Sequence, residues 1–358
     1  MHLQVCLPER VTTYRLAPAP FSAIAQRFYS MLGWRLIYFG LVVALAVAAF
    51  ATPFPVRHSI SALTVSIEIL AAVGALALLG WLACTRPREP FRAIGKLISE
   101  RAIGDAALLF ITSTLFFSLL PPLKAMIPSY RGFWADPFLA EADRAIFGRD
   151  AWKVAHDLLP GYSAHVDYLY ASWSLSIVCV AAAVALCGSE ERKAKFFLTW
   201  ALSWTVLGVF TATALASAGP IFGPQLGLGF QGLVPVLADA PAATLFRDLL
   251  WQMHGTNNAG FGGGISAAPS MHCALTFIFV FASYGTRWFL PALTYSVMIW
   301  FGSVYLGWHY AVDGLISLLG VALLWLGAGR IVCSPFARSS SSEVVEARSE
   351  SGFRDYSM

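Results

Sequence analysis

The chain predicts an all-α, polytopic membrane helix bundle, and two observations carry that expectation. Hydrophobic residues make up 58% of its 358 residues and charged ones 12%, with a mean hydropathy of +0.66, whereas soluble domains carry roughly 25% charged residues. Apolar runs of about 20 residues, the length that crosses the hydrocarbon core as a helix, recur near 34–51, 61–84, 102–120, 165–187, 195–217, 269–285, 288–307 and 310–333. These eight runs show no ten-residue alternation of the barrel kind, and open strands leave backbone groups unpaired in lipid, so helices are the expected spanning elements.

In order along the chain, residues 1–33 mix polar and apolar side chains without a compact apolar core and cleavage site, and are expected to stay attached as a cytoplasmic segment. Residues 34–101 hold two accessory spans. Residues 102–333 hold the six remaining spans, expected to form the catalytic core, with the third span bounded by Pro121 and Pro122. Within that core, 132–158 is expected to be an outer amphipathic segment, its Trp134 and Trp152 anchored at headgroup level. Its Asp136, Asp143 and Asp150 alternate with aromatics, so a lid over a polar headgroup is the competing expectation. The serine-rich, charged residues 334–358 read as a disordered cytoplasmic tail. No repeat of the inverted transporter kind is visible.

Lysine and arginine placement gives the orientation. With the N-terminus cytoplasmic, the inner segments hold 17 of the 24 basic residues and the outer ones 7, which puts both termini inside. The net charge of +4 is then a topology signal, and nothing in it argues for nucleic acid.

With that topology, two polar stretches face the same, outer side. "SAAPSMHCAL" places His272 at the start of the sixth span, and "SVYLGWHYAVDG" places His309 at the entry of the eighth with Asp313 four residues on, one helical turn away. Ionisable residues at membrane depth are functional candidates by default. Asp313 would accept the Nδ1 proton of His309 and leave Nε2 as a nucleophile, and a protonated His272 could give its proton to a leaving alkoxide. The chemistry this suggests is phosphoryl transfer through a histidine.

At these residues the chain resembles the type 2 phosphatidic acid phosphatase superfamily: "PSMH" (Pro269 to His272) and "GSVYLGWHYAVDG" (Gly302 to Gly314) are similar to its second and third motifs. The resemblance is nearest the branch of inositol phosphorylceramide and sphingomyelin synthases. It implies His309 as the residue that becomes phosphohistidine, His272 as the acid and Asp313 as the orienting carboxylate, with membrane lipids as substrates. The chain departs from the phosphatase motifs in two places. Gly302 and Ser303 stand where the third motif has Ser-Arg, and "ASAGPIFGPQLG", Ala216 to Gly227, stands where the lysine–arginine first motif belongs. "KAMIPSYR", Lys124 to Arg131, has the first motif's spacing but lacks its proline and follows a different span, so chance is the reading adopted for it. Both losses point toward the inositolphosphotransferase-like branch. Candidates for holding the phosphate are then Arg247, Ser270 with the amides of the first turn after it, Ser303 and Tyr305.

Other singled-out residues have structural readings. Glu68 reads as a helix–helix or water-facing contact, and Asp105 as paired with Arg101. His58, His156, His165 and His254 read as surface residues. The run "NAGFGGGIS", Asn258 to Ser266, has neither a P-loop lysine nor a preceding strand, and suits a flexible entry turn. Six cysteines form no CxxC pair, and no metal or cofactor is expected.

The leading expectation is an integral membrane enzyme transferring a phospho-headgroup such as inositol phosphate between lipids, with a lipid alcohol as acceptor. A phosphatase releasing inorganic phosphate is the alternative, since water resolves a phosphohistidine as an alcohol does. A transporter using the His/Asp cluster as a proton relay is the alternative of another class; clustering at one interface, away from the midplane, counts against it. The alanine-rich, arginine-over-lysine composition points to a bacterial inner membrane, with the site on the periplasmic face.

Overall fold

The computed structural model describes residues 21–53, 64, 68, 89–92, 101–256 and 263–333. All regular structure in them is helical. The chain divides into two units, residues 1–33 with 334–358, and residues 34–333; most of the first, and the apolar run at 61–84, lie outside the described residues. Helix α1 spans Phe21–Phe50 and α2 Arg101–Ser118. Two further helices follow, α3 (Asp136–Phe147) and α4 (Ala151–Leu158), then α5 (Ser163–Ala171) and α6 (Trp173–Cys187) in near continuity. Helix α7 (Glu190–Leu202) runs on through a π-helical stretch, Ser203–Thr211. The last four are α8 (Pro241–Gly255), α9 (Met271–Ser283), α10 (Phe289–Tyr305) and α11 (Ala311–Cys333).

Local chemistry sets the ends. Ser189 caps α7 by accepting the Arg192 N–H (3.3 Å), with Glu190 and Glu191 in the positive first turn. Pro137 sits inside the start of α3 and Gly148, at φ 73°, takes the left-handed position past its end. Among the described residues, five stretches are long and apolar enough to cross a membrane: Gly33–Phe50, Ala107–Arg131, Ser163–Cys187, Glu190–Ala214 and Ala311–Val332. Two expected spans are shorter as helices: α9 has 13 residues and α10 has 17. Helix α9 starts only at Met271, where Ser270 caps it, and stops before the turn at Gly285, whose φ is 73°.

Helix α9 is the centre of the bundle. Its Cys273 to Phe279 side chains are all buried, against α6, α7, α10, α11 and the π-helical stretch. Helix α11 instead turns Leu315, Leu319, Leu323 and Leu326 outward, the surface expected of a helix facing lipid. Tyr38 of α1 bonds Ser113 of α2 through their hydroxyls (2.6 Å), and Arg35 pairs with Glu190 of α7 (3.0 Å). Connections of a few residues join α6 to α7, α9 to α10 and α10 to α11, so these helices alternate in direction. The starts of α5, α9 and α11 and the end of α10 therefore share one end of the bundle, and Ser163 meets Tyr305 there (3.4 Å between hydroxyls).

One close approach tests this packing. A Cβ on Gly314 would run into the Trp300 indole, whose N–H already donates to the Ala311 carbonyl (3.1 Å). Gly314→Ala is expected to destabilise the fold by about 1–3 kcal/mol, read as a lower thermal midpoint in detergent, whereas Gly327→Ala, with open space around it, should be neutral.

Candidate active site

At that end the turn between α10 and α11 presents His309, and the start of α9 presents His272. The His309 main chain is fixed by its N–H donating to the Ser303 carbonyl (3.2 Å). Its ring Nδ1–H donates to the Ala267 carbonyl (2.8 Å), which assigns the proton to Nδ1 and leaves the lone pair on Nε2. Nε2 faces His272 Nδ1 at 3.4 Å. The His272 ring is held in plane by Tyr170 (centroids 4.7 Å, 26°) and Trp173 (4.1 Å), and the Trp173 indole N–H donates to the His272 carbonyl (3.2 Å).

Asp313 lies within ion-pair range of His309 Nδ1, at 3.6 Å, outside hydrogen-bond distance. The sequence expectation gave it the Nδ1 proton; here the Ala267 carbonyl takes it. The cause is local: Asp313 is the third residue of α11, and its Oδ2 reaches back to accept the Tyr310 N–H (3.0 Å), as the acidic half of a capping box does.

The loop before α9 is itself pinned. Ser217 accepts the Ala267 N–H at its carbonyl (2.8 Å) and the Ala268 N–H at its hydroxyl (2.9 Å). The next two residues are gripped by Asp136 of α3: its Oδ2 accepts the Ala218 N–H (2.7 Å), its Oδ1 the Gly219 N–H (2.8 Å) and the Tyr310 hydroxyl (2.9 Å). Seven residues on, on the same face of α3, Asp143 accepts the Ala311 and Val312 N–H groups (2.8 and 3.0 Å), two of the orphan donors that open α11. The outer segment is thus bonded directly to the site. Its Asp136, Leu139, Ala140 and Asp143 are buried and its Phe138 and Ile146 exposed, and Trp152, expected at headgroup level, is buried against Gly232.

Burial pushes the Asp143 carboxyl up to about 6, against the pull of its two amide donors, and raises Asp136 likewise. A small pocket is lined by His309, Tyr310, Phe230, Trp152, Asp143 and Asp150. Its Asp150 is paired with Arg144 (2.7 Å) and Lys153 (2.9 Å).

The four expected phosphate contacts have other partners. Ser270 is the N-cap of α9, its hydroxyl accepting the Cys273 N–H (3.3 Å). Ser303 donates to the Trp300 carbonyl (2.7 Å), and Tyr305 donates to the Leu159 carbonyl (3.0 Å). Arg247 pairs with its neighbour Asp248 (2.7 Å). His156, read from sequence as a surface residue, is half-buried, stacks on Tyr305 (3.7 Å) and donates from Nε2 to its carbonyl (2.9 Å). Lys124, set aside with its motif spacing as chance, packs beside the loop that leads into α9. The 263–270 loop lies against its backbone, since a Cβ on Gly264 would meet Lys124 and Ala125. The lysine–arginine spacing was the available signal. Ala267 acts through its backbone carbonyl and Ser217 through its carbonyl and a hydroxyl bound to a backbone amide, and neither leaves a sequence signal. Among the described residues no cluster of His, Cys, Asp or Glu could hold a metal ion.

Two outcomes are expected. Ser217→Ala keeps the backbone bond to Ala267 but frees the Ala268 N–H, and should cost about 1–3 kcal/mol of thermal stability. Because folding raises the Asp143 pKa, its contribution favours the fold below pH 4 and is lost as pH rises through about 6. The stability of wild type relative to Asp143→Asn should therefore fall by on the order of 2–3 kcal/mol between pH 4 and pH 7, measured by thermal unfolding at both.

Comparison with known proteins gives one match: the family model of the PAP2 superfamily covers residues 139–329, just over half of the chain, and includes His272, His309 and Asp313. Neither a curated protein nor a solved structure matches. The chain belongs to the PAP2 superfamily, whose enzymes are membrane phosphatases and phosphotransferases acting on phosphoesters.

Proposed function

We propose that the protein transfers a phospho-headgroup between membrane lipids through a phosphohistidine at His309. The observation that carries this reading is the pair of imidazoles, with the His309 Nδ1 proton held by a carbonyl and Nε2 turned to His272 at 3.4 Å. Nε2 attacks phosphorus and the bond to the leaving alkoxide breaks; His272, protonated, supplies the proton that alkoxide needs. Asp313, at 3.6 Å, stabilises the positive charge that develops on the His309 ring. In the second half the acceptor oxygen attacks, the P–N bond breaks, and His272 takes the acceptor's proton. The two rings must separate to admit phosphorus between them.

Lys124 and the amides opening α9 offset the phosphate charge, a role that the motif arginine replaced by Ser303 would otherwise fill. Transfer of the inositolphosphotransferase type is favoured over hydrolysis by that missing arginine. In the membrane the chain has eight spans with a six-helix core, both termini cytoplasmic and the histidines at the outer, periplasmic face, supported by the placement of its basic residues.

The test is turnover of labelled phosphatidic acid, phosphatidylinositol and phosphatidylcholine by the full chain in detergent, each with and without ceramide or diacylglycerol. Product only with an acceptor is expected; free phosphate without one would make the protein a phosphatase. His309→Ala and Asp313→Ala should abolish turnover in folded protein. His272→Ala should cost about 10²–10⁴-fold on lipid substrates and little on an activated aryl phosphate, whose leaving group needs no proton. Equal loss on both would remove the acid role.

A further inference from the structure

Helix α8 lies outside the catalytic pair and has an unusual surface. Ala242, Leu245, Phe246, Leu249 and Met253 follow the i, i+3, i+4, i+7 and i+11 spacing of one helical face. Leu245, Phe246 and Leu249 are 66%, 48% and 37% exposed, and Ala242 and Met253 are half-buried. Arg247 and Asp248 lie off this face and are paired to each other, and the exposed Gln252 sits at its edge beside Leu245 and Leu249. At 15 residues α8 is about 22 Å long, and with Arg247, Asp248 and His254 along it, it is not among the stretches long and apolar enough to cross a membrane.

Its depth is fixed by a third carboxylate clamp. Asp167, the fifth residue of the apolar stretch Ser163–Cys187, accepts the Ala242 and Ala243 N–H groups (2.7 and 2.9 Å) at the start of α8. The start of α8 is therefore tied to the first turns of a membrane span, at the bundle end that holds His272 and His309. The same span turns its own Tyr168 (67% exposed) and Leu175 (56%) outward. We propose that α8 is an interfacial helix, its Leu245–Phe246–Leu249 face seated in the headgroup–acyl boundary of the leaflet on the active-site side. A helix with one apolar face, few charges and an anchor at the membrane surface is built for that layer. Seated there, it brings the headgroup layer to the level of the two histidines.

The test uses the full chain in liposomes with its six cysteines replaced by alanine, carrying Leu249→Cys or Asp248→Cys. A charged, membrane-impermeant maleimide should label Leu249→Cys about tenfold or more slowly than Asp248→Cys. A bimane on Leu249→Cys should be quenched by phospholipids brominated in the upper acyl chain. Equal labelling at both positions would place the face in water. Slow labelling without bromolipid quenching would place a protein partner or a second copy on it, and either result overturns the proposal. Labelling needs no turnover, so it stands or falls separately from the phosphotransfer reading.

Discussion

The Asp136 carboxylate is the contact on which the rest of the site depends. It lies on an outer helix, yet its two oxygens bind the amides of Ala218 and Gly219 and the hydroxyl of Tyr310. Through Ser217, one residue away, the same loop fixes Ala267, and the Ala267 carbonyl fixes the His309 ring. Gly219 permits this crossing: its φ is 91°, and a Cβ there would meet the Trp308 carbonyl. A buried carboxylate is costly unless its lone pairs are filled, and three donors at 2.7–2.9 Å fill them here. Three segments distant in sequence are held in one register as a result.

The same device recurs. Asp143 binds the opening amides of α11, and Asp167 those of α8. Helix N-termini carry partial positive charge and unsatisfied donors, so each carboxylate supplies the acceptors that water gives elsewhere. Asp313 completes the set by capping Tyr310 from within α11. The carboxylates of Asp136, Asp143 and Asp167 are thereby spent largely on backbone amides, and the histidine pair is left facing itself. This organisation also explains why Ser270 and Tyr305 are bound to protein groups: the backbone at the start of α9 and at Leu159 reaches them first.

Low charge content and apolar runs of spanning length dictate helices in lipid, because no other backbone arrangement satisfies its own polar groups there. Spacing brought His309 and Asp313 close together, although His309 lies in the turn before α11 and not on its face, and the order of the spans put His272 at the same end. The rest was decided by contacts across the chain. A carbonyl carries no residue signature, so the Ala267 bond to His309 could not be read; nor could the partners of Asp136 and Asp143, which are backbone amides 82 and 168 residues away. Lys124 was visible as a spacing, but only tertiary packing set the 263–270 loop against its backbone. Sequence determined the class of fold and offered the candidate reacting side chains, since these follow from composition and local period; the tertiary structure decided what orients each of them, because orientation comes from partners that proximity alone selects.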